Sequence, residues 1–262
     1  MSFEIPHKQI DKLTIADPHV AFRGLTYGDW AGVWLNHLFS DKPDINYTGG
    51  KGVAFLRGNL QYAYNQDPEH PIFSSMTRAL GLRIHEDTAV FVPVVNTKFV
   101  IGSEYQGQTM KDEISMRNTA RRDTVSGGPV GIRIRKHPAN KDYTLVQDLN
   151  EFYIESPLFS LTIPEDSTFK GLMETPMEAG VYQCITAGIF VIISNWPIGR
   201  FRLSVFGTGV GTYLTRSVYD IEVTAKTAPL KDISPIRVTL PPNEPPDPMD
   251  FMADWKDSKP TK

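Results

Sequence analysis

One cysteine, Cys184, cannot close an intrachain disulfide, so a fold of up to 262 residues must rest on burial alone. It sits in the apolar run Tyr182-Gln183-Cys184-Ile185 and reads as a small buried hydrophobe. No stretch approaches the ~18 apolar residues of a membrane helix. The longest, Ala187 to Ile193, has the length of a buried strand. The opening residues Met1-Ser2-Phe3-Glu4-Ile5-Pro6-His7-Lys8 carry no apolar segment of the secretion-signal kind. Positive charge is not in excess either. Twenty-seven basic and 30 acidic side chains leave −3, which argues against nucleic-acid or anionic-membrane partners.

The motifs of catalysis are missing too. Zinc is held by close-set His, Cys or acidic ligands, and neither an H-E-x-x-H nor a paired C-x-x-C occurs. His85-Glu86-Asp87 is the nearest cluster, but successive strand residues point to opposite faces, so a solvated turn is expected there. There is no G-x-S-x-G elbow. Gly207-Thr208-Gly209-Val210-Gly211 has neither the dinucleotide spacing nor the terminal Lys-Ser/Thr of a phosphate loop, and it reads as a glycine-rich β connection. Arg117, Arg121 and Arg122, with Arg133, Arg135 and Lys136 beyond them, lack interleaved aromatics and read as a solvated or salt-bridged face. The sequence therefore predicts no catalytic residue, no metal and no cofactor.

What it does have is turn formers and β formers. Gly and Pro are both high, at 20 each, and aromatics reach 11%. Residues 1–25, with Pro6 and Pro18, read as an extended N-terminal arm. Thr26 and Asp29 resemble a capping box, after which Trp30, Val33, Trp34, His37 and Leu38 mark one face of a helix ending near Ser40. That helix is expected to plug one end of the fold. Val53 to Leu56 and Leu60 to Tyr64 flank a hairpin-like turn at Gly58-Asn59. Ala89 to Val95 is strand-like, with Pro93 suited to an edge, a bulge or a strand end. Residues 96–129 read as an insertion carrying a short helix capped by Thr109 and Asp112.

The second half alternates. Val130, Ile132 and Ile134 are followed by strands at Phe152 to Ser156, Leu158 to Ile163, Val181 to Ile185 and Ile189 to Ser194. A turn at Asn195 to Gly199 leads to the alternating Phe201, Leu203 and Val205, then to Val218 to Val223. The expected fold is mainly β, an antiparallel β-sandwich or jelly-roll-like domain over 26–240 with one or two short helices. Residues 241–262 form a Pro-rich C-terminal arm. There Asp247-Pro248 opens a short helix that carries Phe251, Met252 and Trp255, which either fold back on their own domain or serve as candidate partner-docking residues.

Four segments together resemble a family of uncharacterised β-sandwich proteins: Val90-Phe91-Val92-Pro93-Val94-Val95-Asn96, Asp148 to Phe159, Gly188 to Phe206 around Ile198-Gly199-Arg200-Phe201, and Tyr219-Asp220-Ile221-Glu222-Val223-Thr224. Members share an F-x-P-x-x-N strand, an S-P-x-F strand start and a P-x-G turn. The chain departs from them in having Ala187-Gly188-Ile189-Phe190 where Asp-Gly-Tyr-Trp is common, and Arg200 where a Lys-His pair is common. The resemblance implies a fold and carries over no site. The expected function is that of a non-enzymatic structural or interaction protein, such as a virion component, assembling with itself or other proteins through sheet faces and arms. The alternative is a carbohydrate-type ligand-binding module with Trp196 and Tyr213 as its aromatic platform. A jelly-roll hydrolase ranks third. The sequence assigns no location; a virion and the cytoplasm are both compatible with it.

Overall fold

The computed structural model describes residues 13–39, 48–49, 52–56, 74–105, 107–124, 130–137, 143–147, 149–165, 178–208 and 214–227. Over these residues the chain is mainly β. In order, they form β1 (Thr14–Ile15), α1 (Tyr27–Phe39), β2 (Thr48–Gly49), β3 (Val53–Phe55), β4 (Ser74–His85), β5 (Ala89–Val100), β6 (Glu104–Tyr105) and β7 (Gln108–Thr109). Then come α2 (Glu113–Thr124), β8 (Val130–His137), β9 (Tyr143–Gln147), β10 (Tyr153–Glu155), β11 (Phe159–Ile163), β12 (Gly180–Ser194), β13 (Gly199–Thr208) and β14 (Leu214–Thr224). No described helix is long and apolar enough to cross a membrane.

A seven-stranded sheet is built on β12, the longest apolar run. It pairs along one side with β5 and along the other with β1, β10 and β11 in turn, while β3 and β2 extend the sheet beyond β5. A five-stranded sheet runs β4-β14-β13-β8-β9. The inward residues of the two sheets, among them Val92, Val191, Ile193, Ile132, Leu203 and Ile221, make one buried cluster. The opposite face of the seven-stranded sheet receives α1, whose Trp30, Trp34 and Leu35 pack with Phe55, Phe91 and Phe190. The helix thus covers a sheet face and does not plug an end. Its buried arc is centred on Tyr27, Ala31, Trp34 and Leu38, which turns Val33 outward at 40% exposure. Thr26 and Asp29 cap it reciprocally, Asp29 N–H donating to Thr26 Oγ1 at 3.1 Å and Thr26 N–H to Asp29 Oδ2 at 3.0 Å.

Several strand expectations change. The sheets are mixed, not wholly antiparallel: β14 runs parallel to β4, and β3 parallel to β5. No crossover helix is needed, because β4 and β14 are border and neighbour strands from distant parts of the chain; Arg83 and Glu222 are 139 residues apart. The segment from Leu13 to Ala16 is no free arm. Leu13 is buried, β1 pairs with Ser194 and Ile193, and Ala16 N–H donates to Ile192 O at 2.9 Å. β5 continues through 96–100, taken from the sequence as the start of an insertion. Pro93 pairs with Phe190 beside the register shift, where Val94 is the extra residue between the Phe190 and Ile189 pairs, and the irregular ladder there tolerates a residue without a donor. β12 is one strand, unbroken at Ala187-Gly188.

Helix α2 is capped by Asp112 with Ser115, not with Thr109, which belongs to β7. Ser115 N–H donates to Asp112 Oδ1 at 2.7 Å. Met116 and Ala120 on its inner face pack on Phe99, Ile185 and Ala187 of the seven-stranded sheet. The Gly58-Asn59 hairpin and the arm 241–262 lie outside the described residues.

Candidate functional site

Among the described residues, the densest polar cluster lies where α1, α2 and β10 meet. Four residues apart on α2, Arg117 and Arg121 project from one face and converge on Glu155 at the end of β10. Glu155 accepts from Arg117 Nη1 at 3.0 Å, from Arg121 Nε and from Arg121 Nη2 at 3.1 Å; the Tyr153 hydroxyl donates to it at 3.3 Å. Arg117 also donates to Glu113 Oε1 at 2.6 Å and to Ser156 O at 3.1 Å. Beside this cluster is an open cleft of about 500 Å³ lined by Pro18, Thr26, Tyr27, Gly28, Arg117, Tyr153 and the run Ile154–Pro157.

The charges in this cluster answer one another. Burial opposes ionisation of Glu155, but the hydrogen bonds from Arg121 and Arg117 outweigh it and hold the carboxyl below its ordinary range. Burial, then the neighbouring Glu155 carboxylate, pushes the Tyr153 hydroxyl upward. Burial likewise raises Tyr27, whose hydroxyl donates to Ala16 O at 2.7 Å and accepts from Ile192 N–H at 3.2 Å. A carboxylate locked ionised by two guanidiniums is a poor general base, and phenols held protonated are poor nucleophiles. Chemically, the cluster is suited to clamping α2 onto β10.

A second polar surface is the outer face of the five-stranded sheet. Because Leu82, Ile134, Phe201, Leu203 and Ile221 point into the core, the residues between them point away. Register sets them in rows: Arg83, Glu222 and Arg200 in one, Asp220, Arg202 and Arg135 in the next, then Ser204 and Arg133. Arg83 bonds Glu222 at 2.8 Å and Arg202 bonds Asp220 at 2.8 Å; Arg200, with its side chain 74% exposed, stands 3.6 Å from Glu222.

Trp196, one half of the expected ligand platform, is a core residue at 2% exposure. Its indole N–H donates to Ile193 O at 3.1 Å and its ring stands edge-on to Phe201. An indole so placed presents no face to a ligand. Tyr213, its intended partner, lies outside the described residues, as do Phe251, Met252 and Trp255. Asp87 forms an exposed pair with Lys226 at 2.8 Å, in the turn anticipated for His85-Glu86-Asp87. Sequence reasoning did single out Arg117 and Arg121. It missed Glu155, Tyr153 and Tyr27, whose only signal is the i, i+4 arginine pair in want of a carboxylate.

No family model, no curated protein and no solved structure matches this chain.

Proposed function

We propose that this chain is a non-enzymatic structural or interaction protein, a sandwich-type subunit of the jelly-roll kind. It assembles with itself or with other proteins through a sheet face and its terminal arms, as components of virions and other particles do. The observation that carries the reading is the uneven cover of the two sheets. Both described helices pack on the seven-stranded sheet, whose second face is closed by the other sheet. No described helix packs on the outer face of the five-stranded sheet, which carries the arginine rows, Arg200 with its side chain 74% exposed. A face of this kind suits a partner surface, since charged and arginine-rich patches steer and orient association. The self-neutralised cluster at Glu155 supports the non-enzymatic half of the reading.

The test is the mass of the full chain in solution, by sedimentation or light scattering over a concentration series, compared with a chain ending at Leu240. The expected result is a multimer that loses subunits when 241–262 are removed. A full chain that stays monomeric at every concentration would overturn the proposal.

A further inference from the structure

We infer that the arginine face of the five-stranded sheet is the docking surface for the acidic C-terminal segment 243–255 of a second copy of this chain. The inference rests on the assembly reading above and names its interface. Among the described side chains, five arginines, Arg83, Arg133, Arg135, Arg200 and Arg202, stand on this face with two carboxylates, Asp220 and Glu222, a formal charge of +3 in a chain whose total is −3. The face is therefore polarised against the rest of the molecule. Residues 243–255 are its complement in sign: Glu244, Asp247, Asp250 and Asp254 with no basic residue among them.

The chemistry of the match goes beyond net charge. Guanidinium groups pair with carboxylates in bidentate fashion and stack on aromatic rings, and the same segment brings Phe251 and Trp255 four positions apart. The two arginines in the best position to receive it are Arg200, which is 74% exposed, and Arg135, one row on and next to Arg202. Reach is adequate for exchange between subunits. The described chain leaves the five-stranded sheet at its Lys226–Asp87 corner, and the 15 residues 228–242 span up to about 50 Å when extended. Attraction of this kind falls as salt screens it.

Charge swaps in the full chain test the pairing. One variant carries Arg135→Glu with Arg200→Glu, a second carries Asp250→Lys with Asp254→Lys, and a third combines all four. Mass is read by sedimentation velocity, and far-ultraviolet circular dichroism checks that each variant is folded. The arm variant leaves the sheets untouched, so it remains informative if the face variant folds poorly. The expected result is association weakened at least tenfold in the first two variants, restored in the third, and weakened in wild type by raised salt. A wild-type multimer unchanged by the arm swap would overturn this docking while leaving assembly intact. Failure of the folded four-residue variant to recover would overturn it as well. A monomeric wild type would remove both the docking and the assembly reading.

Discussion

Asn36 and Thr162 are bonded as if the helix residue were a neighbouring strand. Thr162 N–H donates to Asn36 Oδ1 at 3.1 Å, and Asn36 Nδ2–H donates to Ser160 O at 3.0 Å. β11 already pairs with β12 on its other side, so these are the groups that point off the sheet edge. One side-chain amide on α1 thereby occupies the position a further strand would take. An edge so blocked is protected against pairing with another chain. Asn36→Ala is expected to lose about 1 kcal/mol of stability, the usual net worth of such bonds. It should also aggregate faster under partly denaturing conditions. Urea unfolding and light scattering measure the two effects; unchanged scattering would remove the edge-blocking role.

How far the fold was legible depends on the distance over which each signal acts. Helix α1 was readable because Thr26, Asp29, Trp30 and Trp34 are all local to it. Pro93 was readable as an edge, bulge or strand-end residue because a missing donor constrains its own strand, and the choice among the three needed the partner strand. The unbroken β12 was not. Gly188 looks like an interruption, yet the small residue there answers a neighbouring strand and makes no turn. The parallel pairing of β4 with β14 leaves no local mark in either strand. The candidate site had the same difficulty: Arg117 and Arg121 find Glu155 38 and 34 residues away, and 30 acidic side chains offered no way to choose it.

Gly188 gives the sharpest packing prediction. A methyl group there would fall against Val95 O and within 2.6 Å of Asn96 Cα, both backbone atoms of the paired β5. Neither can step aside without breaking the β5–β12 ladder. Gly188→Ala is expected to cost about 3 kcal/mol, the upper part of the overpacking range. Gly102 is the control, since its φ is +88° and nothing lies within 4 Å of the added methyl. There the cost is conformational, about 1 kcal/mol. Chemical denaturation of both variants checks the order; a Gly188→Ala protein as stable as Gly102→Ala would contradict it.

The Glu155 clamp predicts a pH dependence with a definite sign. The folded carboxyl titrates below its ordinary value of 4.5, so the clamp's contribution is full above that pH. It is lost as acidification passes through the lower folded value. Glu155→Gln removes the charge, leaves Arg117 and Arg121 one amide oxygen in place of the carboxylate they share, turns an N–H donor toward them, and should cost about 2 kcal/mol at neutral pH. The variant's stability should then fall less steeply than wild type below pH about 4.5. Urea midpoints measured from neutral to acid pH decide this. Parallel curves would mean that Glu155 carries none of the acid sensitivity.

Lys98 lies on the same face of the seven-stranded sheet as Cys184, because Lys98 pairs with Thr186 and Val100 with Cys184. Burial lowers the Lys98 ammonium from 10.5 to about 8, and burial raises the Cys184 thiol from 9.0 to about 12. The two shifts act on stability in opposite directions. Between about 8 and 10.5 the unfolded chain holds the lysine proton that the folded chain has released, so folding gains as pH rises there. For Cys184 the folded chain keeps its proton longer, so folding loses as pH climbs above 9.0. The interval from about pH 8 to 9 isolates the lysine. Wild type should gain stability across it, whereas Lys98→Met should be flat there. Urea unfolding at several pH values measures this, and a thiol reagent at pH about 8 should label Cys184 only after unfolding. A Lys98→Met protein whose stability still rises between about pH 8 and 9 would assign that rise to a group other than Lys98.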